Sequence, residues 1–342
     1  NTFNVAVGYQ AGLNVTTGHK NTIIGGLAGD ALTTGERNTA LGYAALSTSV
    51  DGDHNTAIGF AALLVYEDGD GNGHNTAVGS QSQVAATTGE FNTSLGSLSM
   101  GTGVTTSDYN VAIGYQAGKA LTSGEKNTLI GSESGDALTT GHFNVAVGYR
   151  ALSTEDAHGV NVAIGTAALQ TLNAGADGHN VAVGHDAGKF ITTGIQNTIV
   201  GSNAGDALTT GAHNVAIGFE ALGAEDAGGK NVAIGRRALL VLDGATDGFN
   251  TAIGYEAGDA ISSGDENTII GANAGGLITA GQKNTIIGEG ADVASGGGGT
   301  DNAIVIGHDA EAIGANTTVI GTTTTTSALV HGLKQPVIAA SA

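Results

Sequence analysis

The chain has 342 residues, 59 of them glycine, with one proline, no cysteine and no tryptophan; eleven basic residues against thirty-one acidic ones give a net charge of −20. The single proline and the lack of a three-residue period exclude collagen, and evenly spread aliphatic residues argue against disorder. So acidic a surface repels phosphate backbones, stability does not come from disulfides, and no run is apolar for long enough to form a membrane-spanning helix.

The sequence opens in mid-phrase with NTF, which reads as a fragment or processed product whose start lies upstream. From there one phrase recurs. Asn-x-x-x-Gly begins at Asn4, Asn21, Asn38, Asn55, Asn75, Asn92, Asn110, Asn127, Asn144, Asn161, Asn180, Asn197, Asn214, Asn231, Asn250, Asn267 and Asn284, seventeen rungs in all. Most steps are seventeen residues, with longer ones of twenty after Asn55 and nineteen after Asn161 and Asn231. A higher unit of about seventy residues therefore runs from Asn110 to Asn180 to Asn250, and Asn75 and Asn92 form an odd half-unit.

Within a rung, the residue after Asn is always Val or Thr, and two positions later stands Ile, Val or Leu. These columns share one face of a strand, because side chains alternate. Between them lies Ala in eleven rungs, Ile or Leu in five, and Ser94 once. A strand with one wet face carries polar residues there, so this column implies close packing on both faces. One face fills the interior of the coil, and the other is expected to meet another chain.

This period predicts an all-β fold, a parallel β-solenoid (β-roll) with one rung per coil. A rise of about 4.8 Å per coil gives nineteen coils a length of roughly 90 Å. The second half of each rung, as in AGKALTSG, is expected to add a further short strand and a Thr-Thr-Gly corner. The rung asparagines are expected to stack and to hydrogen-bond along a column.

Seven of the fourteen Phe and Tyr residues follow the rung glycine (Tyr9, Tyr43, Phe60, Tyr115, Tyr149, Phe219, Tyr255), and five precede the rung asparagine (Phe3, Phe91, Tyr109, Phe143, Phe249). Corner packing accounts for them better than a stacking platform for sugars. His54 and His74 share the corner before Asn with His179 and His213, and they lie near Asp51, Asp53, Asp68 and Asp70. Solvated corner histidines are expected there rather than a metal site. The run DGDGNG matches the start of an EF-hand loop with Asp68, Asp70, Asn72 and Gly73, but its twelfth position is Gly79 where that loop needs Glu. The pairs Glu155–Asp156 and Glu225–Asp226 repeat with the seventy-residue unit, which marks them as duplicated with it rather than as one glycosidase pair. GGGG at 296–299 precedes a change of period and does not read as a phosphate loop. No catalytic, cofactor-binding or metal residues are assigned, and no cofactor is expected.

Four segments follow: a solenoid of seventeen 17–20-residue coils over 1–288, a Gly-rich linker over 289–300, shorter coils over 301–321 and a tail over 322–342. In DNAIVIGHDAEAIGANTTVIG, Asn302 and Asn316 are fourteen residues apart. The words AIVIGHDAEAIG and TTVIG closely resemble the fourteen-residue repeat of trimeric autotransporter adhesin heads. That resemblance implies a left-handed parallel β-roll assembled as a homotrimer. The longer rungs, NTAIGYEAG and ALTTGxxN, resemble arrays in bacteriophage tail fibres. In that family a self-cleaving intramolecular chaperone commonly follows the array. TTTTTSALVHGLKQPVIAASA resembles the junction ahead of it, which makes Ala342 a candidate cleavage point.

The function expected is structural, not enzymatic: the shaft of a trimeric phage tail fibre, spacing a receptor-binding tip for host attachment. The location is then the virion. The alternative is a trimeric adhesin or filament subunit at the bacterial surface, and an ice- or glycan-binding solenoid ranks below both. Expected partners are further copies of the chain, fibre segments at both ends and host surface glycans. Neither nucleic acid nor membrane insertion is expected.

Overall fold

The structure, a computed structural model, describes residues 3–67, 72–244 and 246–322. Its main feature is one nineteen-stranded parallel sheet. Each three-residue strand lies one coil above the last, from Val5–Val7 to Thr318–Ile320. The register is repeat on repeat: Thr198 faces Val215, Ile199 faces Ala216 and Val200 faces Ile217. The expected parallel β-solenoid of about seventeen-residue coils is what the chain forms.

Strands this short survive because every coil fixes their neighbours. The rung glycine ends each strand in a conformation that excludes a side chain. Gly201 has φ +140°, and a Cβ there would fall against the carbonyl oxygen of Gly218 in the next coil. The corner before each rung Asn is held left-handed although none of these residues is glycine, as at His213 (φ 62°) and Val160 (φ 62°). Such a conformation is uncommon for non-glycine residues and strained for a β-branched one.

The interior belongs to the middle column. Ala146, Ala163, Ala216 and Ala233 are fully buried, as are Ile199 and Ile269 where the rung carries the larger residue. The Thr/Val and Ile/Val/Leu columns on either side point outward.

The seventy-residue unit has a volumetric cause. Eight residues after Asn, the first two coils of a unit carry glycine (Gly188, Gly205) and the next two carry leucine (Leu222, Leu239). A Cβ on Gly188 or Gly205 would lie 3.0 or 3.2 Å from Ile199 Cδ1. Ile199 shares the space that both glycines leave open with Ile191 and Leu208, whose Cδ1 atoms would lie 2.9 and 2.8 Å from those Cβ positions, while coils with an inner leucine need only alanine in the strand. Ile23 and Ile269 stand in the same relation to Gly12 and Gly29, and to Gly258 and Gly275. Close packing forces this alternation of large and small residues.

The second half of the coil differs from expectation. Among the described residues of 3–288 it contains turns and bends but no second strand. Its backbone curls around single acceptors: Thr209 O receives the N–H groups of Thr192, Thr193 and Gly194 at 2.8, 3.2 and 3.3 Å. An extended strand presents its N–H groups to alternate sides and cannot converge three on one oxygen.

Residues 289–300, expected as a linker, carry one strand of a separate two-stranded sheet while the main sheet passes over them. Asp292–Val293 pairs with Glu311–Ala312, and Thr285–Ile287 pairs directly with Ile304–Ile306. The tail from 323 onward lies outside the described residues.

Candidate interaction surface

The asparagine column joins the coils. Each rung N–H donates to the side-chain oxygen of the asparagine one coil earlier, as in Asn197 to Asn180 and Asn214 to Asn197, both 2.9 Å. The side-chain amide of Asn197 donates to Gly211 O at 2.9 Å. The column runs from Asn4 to Asn284 and ends with Ala303 N donating to Asn284 Oδ1 at 2.9 Å. Asn302 has moved one place, to the left-handed corner (φ 55°), where its amide reaches Asn316 Oδ1 at 2.9 Å. That shift is why glycine follows these two asparagines five residues later instead of four.

On the outward face, beside the Thr/Val column, runs a continuous apolar column of Ile, Val and Leu. Leu41, Leu95, Ile164, Ile253, Ile270 and Ile320 all keep more than a third of their surface exposed. Monomeric proteins rarely expose an apolar stripe along a whole dimension.

Two corner ridges border this face. On the first, His54 and His74 stack at 4.6 Å, His74 and Phe91 at 5.1 Å, and Phe91 and Tyr109 at 5.1 Å, all within 10° of parallel. Lys126 Nζ continues the column, 6.0 Å from the Tyr109 ring and 5.4 Å from that of Phe143. On the second, Tyr43 and Phe60 stack at 5.9 Å. Arg236 lies over both Phe219 and Tyr255, at 6.0 and 5.2 Å. The expected corner packing is therefore present. From His54 to Tyr109 the rings spend their faces on one another, whereas a sugar platform needs open faces. Tyr66 is different: it is fully buried, and its hydroxyl donates to Asn72 O at 3.0 Å.

His54 and His74 stack as their spacing implies, but Nε2 of His54 lies 3.1 Å from the Arg37 guanidinium, and a neighbouring cation opposes a metal. Asp53 Oδ1 accepts the Glu36 N–H at 2.6 Å. Asp68 and Asp70 of the EF-hand-like run fall outside the described residues. Of the other three positions, Gly79 is a rung glycine, Gly73 packs against Asn55 and the Asp53 carbonyl, and Asn72 offers its carbonyl to Tyr66.

The repeated acids have a structural task. Among the described residues, two acid-rich groups converge, Glu155–Asp156–His158 and Glu225–Asp226–Asp243. His158 and Asp243 were not legible as members. Glu155 is fully buried and accepts the N–H groups of His158 (3.0 Å) and Ala174 (3.2 Å). Glu225 accepts those of Gly228 (2.6 Å) and Gly244 (3.4 Å), and burial raises its pKa above the ordinary carboxylate range. Ala174 and Gly244 lie in the nineteen-residue fourth coils, so each glutamate satisfies the backbone of the longer loop in the following coil. The nineteen-residue step was the available signal for this role.

Two further runs resolve in the same way. Gly298 O accepts the N–H groups of Thr279, Ala280 and Gly281 at 2.9, 2.9 and 3.1 Å, so GGGG closes a coil. The hydroxyls of Thr192 and Thr209 reach carbonyls of the next coil, at 3.1 and 3.0 Å. An ice-binding array would need such hydroxyls free.

No family model and no curated protein matches the chain.

Proposed function

We propose that the chain is the shaft of a homotrimeric fibre of the phage-tail type, holding a receptor-binding tip at a distance from the particle. One observation carries this reading: beside the Thr/Val column on the outward face of the sheet runs an Ile/Val/Leu stripe from rung to rung, with no partner among the described residues. Covering it with further copies removes that surface from water at about 25 cal/mol per Å², and many short strands in one register make the stripe straight enough for a parallel copy. The number three and a left-handed coil come from the resemblance of residues 301–321 to adhesin heads.

The second reading, a trimeric adhesin of the bacterial surface, is favoured by the coils that begin at Asn302 and Asn316. Electron microscopy with an antibody against this chain separates the two. Gold label on fibres of phage particles supports the shaft, and label confined to cell envelopes supports the adhesin. Label on neither overturns both.

A further inference from the structure

Interior coupling is interrupted at one level of the rod. The buried apolar residues fall into two clusters, one from Ile23 to Ala86 and the other from Met100 to Ala312. The division coincides with the odd half-unit that begins at Asn75. There Ser82, Gln83 and Ser94, all fully buried, stand where the coil at Asn144 has Ala151, Leu152 and Ala146. The hydroxyls of Ser82 and Ser94 lie 2.6 Å apart, and Gln83 Nε2 donates to Ser94 Oγ at 2.8 Å. Gln83 Oε1, also buried, has no hydrogen-bond partner.

We infer that the rod unfolds as two cooperative units, which part at this polar layer. In stacked repeats each coil senses only its neighbours, so cooperativity passes along through interface free energies. The backbone contribution is unbroken here, since Thr76 faces Thr93 and Thr93 faces Val111. The apolar contribution is not. Hydroxyl and amide groups exchange bonds to water for bonds to each other with little net gain, and an unpartnered buried oxygen is a loss. The coupling between the coils at Asn75 and Asn92 is therefore the weakest in the stack. Five coils lie on its N-terminal side and the longer remainder of the rod on the other.

Hydrogen exchange of the full chain, read by mass spectrometry across a guanidinium series, tests this. Amides of residues 3–91 and of 110–321 are expected to lose protection at two separate denaturant concentrations, as independent units do. One common midpoint overturns the inference. The triple variant Ser82→Ala, Gln83→Leu, Ser94→Ala copies the interior of the coil at Asn144, where Leu152 occupies the same left-handed position (φ 54°). It is expected to merge the two midpoints. A folded variant that keeps them apart contradicts the assignment of the boundary to these side chains. The unmodified chain decides the two-unit claim by itself if the variant does not fold.

Discussion

Asn197 and Asn214 are joined by a 2.9 Å hydrogen bond from the backbone N–H of the later residue to the side-chain oxygen of the earlier one. Asn197 also donates its amide to Gly211 O, so one buried side chain satisfies backbone groups at two corners. Asn197→Ala orphans both. Each buried unsatisfied group costs about 1–3 kcal/mol, so the variant should lose roughly 3 kcal/mol. Exchange of the amides in coils 180–230 reports this locally, and a change below about 0.5 kcal/mol would show that the column adds little.

Ile199 and Gly205 are complementary in volume. Ile199→Ala opens a cavity and should cost about 3 kcal/mol. Gly205→Leu alone overfills the same space and should also destabilise. The double variant restores the Ala216–Leu222 pairing of the coil at Asn214 at these two positions, with Leu208 standing where that coil has Glu225, and should regain part of both losses. A double-mutant cycle in chemical denaturation measures the coupling; strictly additive losses would contradict the volumetric origin of the seventy-residue unit.

How much of this was legible follows from which residues repeat. Seventeen rungs with near-constant columns specify coil, strand and asparagine ladder, because a stacked fold places like residues on like residues. The direction of each face was not legible. Alanine between two β-branched residues suits an interior or a tight interface equally well, and only closure of the coil decides. Nor was the role of Glu155 and Glu225, since it depends on a loop in the following coil. The second strand failed because Thr-Thr-Gly reads as β-prone while its backbone curls onto shared carbonyl oxygens.

Val160 holds a left-handed conformation that costs a β-branched residue about 1–2 kcal/mol. Asparagine adopts it readily, and the side chain of Val160 is half-exposed. Val160→Asn should therefore raise stability by about 1 kcal/mol. A lowered melting temperature would show that packing of the valine outweighs its strain.

Burial raises the pKa of Asp292 to about 6, with Asp259 adding to the effect, although its oxygens accept the Val293 and Leu277 N–H groups. A folded-state pKa above the unfolded value of 3.8 means that the folded chain holds the proton more tightly. Stability contributed by this group is full below about pH 4 and declines as pH rises towards 6. Burial shifts Asp136, Asp206 and Asp259 in the same direction. Unfolding of the last coils, followed by exchange between pH 4 and 7, should show this decline, and Asp292→Asn should flatten it. A stability that climbs across that interval would reverse the sign.

The most direct test of the central claim is the mass of the purified chain in solution by light scattering. One chain is 33.4 kDa. Association through the outward face predicts a trimer of about 100 kDa, with Ile164→Lys and Ile217→Lys together shifting the mass towards a single chain, because an unpaired charge in an apolar interface is costly. A monomer at micromolar concentration, or a trimer indifferent to those two lysines, would contradict it.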